Sequence, residues 1–228
     1  RSTLFPYTTL FRSGYPTMKY RISANVIRRL PRYIRHLDLL SAAGVEKVSS
    51  GELGKQMGLT ASQIRQDLNC FGGFGQQGYG YNVRQLRDGI AAALGIGTPL
   101  KAIVIGVGNL GNALITNFRF AECGAGLEAA FDVKADRVGR EINGIKVRHA
   151  SELEAYLKEN PVDVAVLTLP QSEADAAAEL VTRCGVKGIW NFTGVDLSLS
   201  GSDTVVENVH LSDSMLTLGY YLRADSAR

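Results

Sequence analysis

The residues Lys101-Ala-Ile-Val-Ile-Gly-Val-Gly-Asn-Leu-Gly111 decide how the second half of the chain folds. Ala102 to Ile105 form an apolar run without alternation, which is typical of a buried parallel strand. Three glycines follow in the spacing GxGxxG, which permits a tight turn, a close approach of a pyrophosphate to the backbone, and close packing of a helix on the strand. The stretch therefore predicts a dinucleotide-binding turn, with the N-terminus of the next helix facing the phosphates.

An acidic residue supports this interpretation. Residues 126–132 have the pattern of a second apolar strand, which ends in Asp132, 21 residues after Gly111. A carboxylate at this place accepts hydrogen bonds from an adenosine ribose and repels a 2′-phosphate, so the pattern favours NADH and NAD⁺. The alternative is a strand-helix-strand unit whose glycines serve packing alone. The cofactor-binding candidates of this part are Gly106, Val107, Gly108, Asn109, Leu110, Gly111, Phe131 and Asp132.

Predicted strands and helices continue to alternate up to residue 192. Two loops that follow successive strands should lie at the sheet edge where ligands bind in doubly wound folds. They contribute four candidates for the nicotinamide pocket, which are Thr168, Pro170, Asn191 and Phe192. The alternatives are turn chemistry at Pro170 and a helix cap at Asn191.

Composition sets limits on the kind of protein. The 228 residues are 45% hydrophobic and 21% charged, as in ordinary globular domains. No apolar run approaches the roughly 20 residues that span a bilayer, and no signal sequence opens the chain, so we expect a cytoplasmic protein without a membrane partner. The three cysteines are odd in number and far apart, which fits neither a disulfide framework nor a metal site. We therefore expect no bound metal.

Charge is divided unevenly along the chain. Residues 18–88 hold 11 Lys and Arg against 5 Asp and Glu, whereas residues 89–228 hold 12 against 17. A basic segment beside an acidic one indicates a polyanionic partner for the basic segment alone. Residues 1–17 show no helical or strand periodicity and resemble translated cloning sequence, so we expect a non-native leader before Met18.

The basic segment, residues 18–88, has the pattern of a winged helix-turn-helix. An amphipathic basic helix, which Pro31 should kink or divide, precedes two short helices. Ser49 with Glu52 and Thr60 with Gln63 have the spacing of N-terminal helix caps. The glycine- and aromatic-rich residues 71–83 predict a β-ribbon, the wing. The alternative is a helical hairpin that contacts no nucleic acid.

The second short helix has an apolar face and a polar face. Its polar side chains are of the kinds that reach base edges and phosphates in the major groove. The DNA-binding candidates are Ser49, Ser62, Gln63, Arg65, Gln66, Asn69, Gln76, Gln77 and Tyr79. Residues 89–210 should form the nucleotide-binding domain, and residues 211–228 a terminal helix. Because this last helix is apolar on nearly all sides, it must be buried between domains or against a second subunit.

From about Tyr20 to Leu222 the chain resembles the Rex family of redox-sensing transcriptional repressors. The resemblance is carried by Val48-Ser-Ser-x-Glu-Leu-Gly54, Gly80-Tyr-Asn-Val83, Gly106-x-Gly-Asn-Leu-Gly111, Phe131-Asp-Val133 and Val206-Glu-Asn-Val209. It implies an α/β protein with an N-terminal winged helix, a Rossmann-type parallel-sheet domain that binds NADH and NAD⁺, and a domain-swapped C-terminal helix. It further implies a homodimer that binds an inverted-repeat operator in double-stranded DNA and is released by NADH.

The resemblance also implies a switch network. Members of the family use an arginine on the first helix, a tyrosine near the nicotinamide and an aspartate after the Glu-Asn-Val string. Arg35 matches the arginine, whereas Asn117 stands in place of the tyrosine and His210 in place of the aspartate. Since histidine titrates near neutrality, we expect switching to depend on pH.

Two other functions compete with a repressor that senses the ratio of NADH to NAD⁺. A small NAD-dependent dehydrogenase would need a general acid or base and a substrate anchor beside the nicotinamide. The three histidines, His36, His149 and His210, stand in no such constellation, so we expect no enzyme. A CoA-type nucleotide-binding module shares the glycine loop, but Asp132 and the basic segment argue against it.

Overall fold

The computed structural model describes residues 22–70, 75–76, 80–199 and 201–225. The expected leader and the wing candidates Gln77 and Tyr79 lie outside the described residues, and Gln76 is described by its strand alone. The chain divides into two compact units, Arg1–Ile96 and Gly97–Arg228. The division expected between residues 88 and 89 falls inside a helix instead, because Ile90 of that helix belongs to the core of the first unit.

In its described residues the first unit combines four helices with a small antiparallel sheet. The helices are α1 (Ala24–Ala42), α2 (Ser50–Met57), α3 (Ala61–Asn69) and α4 (Val83–Ala93), and the strands are β1 (Lys47–Val48), β2 (Gly75–Gln76) and β3 (Gly80–Asn82). The strand order is β1-β3-β2. Helix-turn-helix followed by a β-ribbon is the predicted winged arrangement, and the fold is confirmed.

Helix α1 is not divided at Pro31, one of the two outcomes expected there. One helix runs through this residue, with no division. Leu30, Tyr33 and Leu37 are fully buried on both sides of it, so tertiary packing outweighs the backbone hydrogen bond that proline cannot make. Pro31 itself is exposed, so water can reach this side of the helix and can replace the backbone N–H donor that proline lacks.

The caps of α2 and α3 follow the predicted spacing. Ser49 Oγ accepts from Glu52 N at 3.1 Å, while the Glu52 carboxylate accepts from Ser49 N at 2.8 Å. Thr60 Oγ1 accepts from Gln63 N at 3.1 Å. These bonds satisfy backbone donors that a helix leaves free in its first turn, and so they fix where each of the two helices begins.

The second unit is built on a seven-stranded sheet. Its strands are β4 (Leu100–Ile105), β5 (Ala125–Asp132), β6 (Glu141–Ile142), β7 (Ile145–His149), β8 (Val164–Leu167), β9 (Gly188–Asn191) and β10 (Val205–Asn208). Its helices are α5 (Asn109–Asn117), α6 (Leu153–Glu159), α7 (Gln171–Arg183) and α8 (Leu211–Asp225), with 3₁₀ turns at Phe120–Cys123 and Ala150–Glu152.

The sheet order is β10-β9-β8-β4-β5-β7-β6, and all neighbours are parallel except β6 and β7. The chain moves from β4 to β5 on one side and later returns to the other side as β8. The order therefore reverses between β4 and β8, and ligands of doubly wound sheets bind at such a point.

Strand β4 is covered on both faces, as its continuous apolar run predicts. Ile103 and Ile105 pack with residues of α6 and α7. Val104 packs on the opposite face with Ile115 of α5 and with Phe120. The sheet edge at the end of β4 is consequently held in place from two sides.

Helix α8 exposes its apolar side chains. Its exposed apolar residues are Leu211, Met215, Leu216, Leu218, Tyr220, Tyr221 and Leu222. A surface of this kind is normally an interface. Among the described helices, none has the length and apolar content needed to cross a membrane.

Candidate functional site

The three glycines after β4 have different surroundings. Gly106 has φ +93°, and a Cβ there would lie 2.7 Å from Thr168 O. A Cβ on Gly111 would overlap the carbonyl oxygen of Gly106. At Gly108 a Cβ would meet only Arg137 Nη1, at 3.9 Å. Two glycines are therefore required by packing, and the third leaves open backbone that a phosphate can approach.

The first turn of α5 adds free donors beside this opening. Gly108 is the N-cap and provides no side-chain bond, so the N–H groups of Asn109 and Leu110 have no cap. Asn109 is exposed and Leu110 half-buried. Uncapped N–H groups at the positive end of a helix bind phosphate oxygens.

Asp132 anchors the loop from the end of β5. Its side chain is nearly buried, with Oδ2 accepting from Val107 N at 2.6 Å and Arg137 Nη1 at 2.9 Å, and Oδ1 accepting from Lys134 N at 2.8 Å. Burial alone would raise the pKa of this carboxyl, but the donors of Lys134, Arg137 and Val107 outweigh burial and lower the pKa. A carboxylate has about four acceptor positions, so Oδ1 can accept one further hydrogen bond.

Phe131 and Thr168 support the glycine loop through hydrogen bonds to Gly106. Phe131 O accepts from Gly106 N at 2.8 Å, while its fully buried ring packs edge-on against Tyr156. Thr168 Oγ1 donates to Gly106 O at 2.6 Å, which joins the ends of β4 and β8. Both residues hold the glycine turn in the geometry that a nucleotide needs.

The remaining pocket candidates have structural roles of their own. Asn191 is 1% exposed, and its Nδ2 donates to Val195 O and to Asn208 Oδ1 at 2.7 Å each. Its Oδ1 accepts from Thr193, so the side chain positions the following loop and does not cap a helix. Phe192 packs on Trp190 with ring centroids 4.6 Å apart, and Pro170 is exposed at the start of α7.

The second helix of the helix-turn-helix presents the expected polar face. Ser62, Arg65, Gln66 and Asn69 are exposed, and Gln63 is half-buried. Ile64 and Leu68 lie in the core on the other face. Arg65 Nη1 donates to Ser50 Oγ at 3.1 Å, and Ser49 is exposed at the start of α2, where its side chain is hydrogen-bonded to Glu52. These side chains can reach bases and phosphates of a duplex.

A buried ionic network was not predicted. Arg29 Nε and Nη2 donate to the two oxygens of Asp67 at 2.7 Å, and Tyr33 Oη donates to the same carboxylate at 2.9 Å. Arg32 Nη2 donates to Met57 O at 2.6 Å. Arg29 thus joins α1 to α3, and Arg32 joins α1 to the end of α2 although Arg32 itself stays exposed. The available signal was Asp67 itself, an acid on the apolar face of α3.

The expected switch residues lie in both units. Arg35 is exposed on α1, and Asn117 is exposed at the end of α5. His210 Nε2 lies 2.8 Å from Asp196 Oδ1, and this contact raises the pKa of His210. Asp196 belongs to none of the motifs recognised in the sequence. In the described part of the chain no group of three metal-ligating side chains is found, and Cys70, Cys123 and Cys184 are free.

Comparison with known proteins divides the chain in the same way. Residues 21–69 match the family model "Putative DNA-binding protein N-terminus", and residues 97–195 match "CoA binding domain". A redox-sensing transcriptional repressor Rex from Caldicellulosiruptor saccharolyticus is 46% identical over 204 residues, which cover 90% of this chain and 93% of the relative. The Rex of Clostridium botulinum is 48% identical over 200 residues, covering 88% and 95%.

Solved structures of a Rex-family repressor are also similar to this chain over most of its length. The Rex-family repressor RSP in complex with β-NAD⁺ and operator DNA is 43% identical, with a TM-score of 0.84 and coverage of 90% of this chain and 94% of that one. The complex of RSP with β-NADH is 40% identical, with a TM-score of 0.83 and coverage of 90% and 96%.

Proposed function

Because the chain belongs to the Rex family of redox-sensing transcriptional repressors, we propose that it binds operator DNA and is released from it by NADH. The observation that carries this proposal is the glycine loop clamped by Asp132. The loop is open over Gly108, has free helix donors and keeps an acceptor position on Oδ1. These three features match the pyrophosphate and the adenosine ribose of a dinucleotide.

The residues that would hold the nucleotide follow from this fit. The N–H groups at the start of α5 would bind the pyrophosphate, and Asp132 would accept a ribose hydroxyl. The loops after β8 and β9, which Thr168 and Asn191 hold in place, would border the nicotinamide. When bound, the nucleotide supplies a ring that is neutral in NADH and positive in NAD⁺, and this difference is what the protein has to detect.

The DNA-binding part of the proposal rests on the first unit. The exposed side chains of α3 would enter the major groove, while Arg28 and Arg35 of α1 are exposed and available to phosphates. A second copy of the chain is needed for an inverted repeat, since each half-site takes one helix.

The second unit supports a homodimer. The sheet face that carries Phe118, Trp190 and Phe192 leaves these rings half-buried, and an open apolar cavity lies beside them, lined by Phe118, Phe120, Val164 and Trp190 among others. The exposed apolar side chains of α8 from a second copy would cover this face. Switching then requires that NADH bind one arrangement of the dimer more tightly than the arrangement that fits the operator. With its operator in the chromosome, we place the repressor in the cytoplasm.

A DNA-binding titration tests the proposal. An inverted-repeat operator would be selected from random duplexes with the purified protein, and its affinity measured by fluorescence anisotropy with NADH, NAD⁺ or CoA. We expect NADH to release the operator, NAD⁺ to release it much less, and CoA to have no effect. Equal affinity with saturating NADH and without it would overturn the sensor function. Release by CoA alone would favour a CoA-binding module, which the family model over residues 97–195 suggests by name.

A further inference from the structure

Arg137 lies at the centre of the nucleotide site, although no sequence pattern singled it out. Its Nη1 donates to Asp132 Oδ2 at 2.9 Å, and the same atom is 3.9 Å from the position that a Cβ on Gly108 would take. The guanidinium therefore bridges the ribose-binding carboxylate and the open backbone of the phosphate loop. Its side chain is 27% exposed, so part of the guanidinium still faces solvent.

The turn that carries Arg137 is firmly held. Arg137 N donates to Lys134 O at 2.9 Å and Val138 N donates to the same oxygen at 3.1 Å. Gly139 N donates to Val147 O, and Val147 N donates to Arg140 O, each at 2.8 Å, which braces the turn against β7. These bonds fix the backbone of the turn, and the hydrogen bond to Asp132 holds the guanidinium beside the glycine loop.

The segment around Arg137 reverses the charge of its unit. Residues 133–149 hold five Lys and Arg against two Asp and Glu, whereas residues 97–228 as a whole hold 12 against 17. A lone Asp132 would exclude a 2′-phosphate by repulsion. With Arg137 as its counter-ion, the carboxylate contributes little net charge to the site, and the guanidinium keeps other N–H donors for a phosphate oxygen.

We propose that Arg137 is a specificity-determining residue, which offsets the charge of Asp132 and so allows adenine dinucleotides with a phosphorylated ribose to bind. This inference rests on the proposed nucleotide site and extends it from NADH to NADPH. Asp132 selects for a free ribose hydroxyl, and Arg137 limits how strict that selection is. Discrimination between the two nucleotides is then set by the pair and not by the carboxylate alone.

The test compares dissociation constants of NADH and NADPH for the full chain, by nucleotide fluorescence. Arg137→Gln removes the charge and keeps a polar side chain of similar stem at this position. NADPH affinity should fall about ten-fold more than NADH affinity, since a 2′-phosphate adds up to about two negative charges a few ångströms from the missing cation. Arg137→Lys, which keeps the charge, should retain most of the original affinity ratio.

Arg140→Gln is the matched control. It removes the same charge from the same turn, but Arg140 is exposed, and its contacts to Arg137 and Val147 are made by the backbone. We expect its affinity ratio to stay close to that of the wild type. The role of Arg137 is overturned if the wild type binds NADH but not NADPH, or if the affinity ratio is unchanged in Arg137→Gln or changed equally in Arg140→Gln. A wild-type protein that binds no NADH at all overturns the proposed function instead, so the two failures are distinguishable.

Discussion

Among the residues that the structure describes, each unit of the chain buries one aspartate beside an arginine, and the two pairs serve different purposes. Asp67 is 2% exposed and pairs with Arg29 in the first unit, and Asp132 is 5% exposed and pairs with Arg137 in the second. In burial and in pairing distance the two carboxylates are nearly alike, at 2.7 Å and 2.9 Å from their arginines. Their remaining partners make the difference.

Asp67 is surrounded by side chains from α1. The two nitrogens of Arg29 and the hydroxyl of the fully buried Tyr33 donate to it, and burial together with this hydrogen bond raises the pKa of Tyr33. The Asp67 hydrogen bond likewise raises the pKa of Arg29. Asp132 instead accepts two backbone N–H groups of loops and keeps an open position. A carboxylate enclosed by side chains stabilises helix packing, whereas one at a loop edge positions the loop and can still bind a ligand.

Asp67→Ala is expected to have the largest effect, which is a loss of stability of the first unit. Asp67→Ala leaves the Arg29 guanidinium and the Tyr33 hydroxyl without their acceptor, which costs about 3–5 kcal/mol for a buried pair. The free energy of unfolding of the first unit should fall by this amount. Urea unfolding separates the units, because helical circular dichroism reports both, while fluorescence of the sole tryptophan, Trp190, reports the second.

A matched control for Asp67 is Asp38. It pairs with Arg87 at 3.0 Å, but its side chain is 50% exposed. Asp38→Ala should therefore cost less than about 1 kcal/mol. Equal destabilisation by the two variants would contradict the structural role assigned to burial.

Replacement of Asp132 should affect nucleotide binding and not the stability of the first unit. Asp132→Ala removes the acceptor for the ribose and the anchor of Val107, so we expect NADH affinity to fall roughly 100-fold, with a smaller loss for NADPH. Calorimetric titration of both nucleotides measures how far the preference for NADH over NADPH narrows. Arg137→Gln should instead widen this preference. Unfolding of the first unit should be unchanged. An unaltered preference for NADH would remove the ribose role.

The two pairs also differ in how far the sequence predicts them. A glycine turn and its acid are predictable, because the backbone geometry demands particular residue types at set intervals. The Arg29–Asp67 pair joins residues 38 positions apart, and it depends on how α1 and α3 pack, which no spacing encodes. At Asn191 the residue type alone does not predict the hydrogen bonds that the side chain makes. Its residue type suits a ligand pocket, but the hydrogen bonds of its own loop occupy the side chain.

Arg65 is the exposed counterpart of Arg29 in the first unit. Its recorded side-chain bond within the described residues is to Ser50 Oγ, at 3.1 Å. Arg65→Ala should weaken operator binding by about 1–3 kcal/mol and relax specificity at one base pair if the guanidinium reaches a base edge. Fluorescence anisotropy on operator and random duplexes distinguishes a base contact from a phosphate contact, since an equal loss of affinity for both duplexes means that Arg65 contacts phosphate. Arg119→Ala, in the second unit, should leave both affinities unchanged.

The smallest effect is expected at a third acid–base pair, His210 with Asp196, because the Asp196 side chain is 81% exposed. The hydrogen bond to Asp196, with the nearby charge of Asp213, raises the pKa of His210. Its stabilising contribution is therefore complete below the ordinary pKa of histidine and is lost as the pH rises through the raised value. Thermal unfolding of wild type and Asp196→Asn should differ most near pH 6 and converge above pH 8, and any change of operator affinity with pH in the absence of NADH should shift to lower pH in Asp196→Asn. If NMR shows His210 titrating at the ordinary value in the wild type, solvent already screens this pair. Burial would then be the property that distinguishes Asp67 and Asp132 from the exposed Asp196.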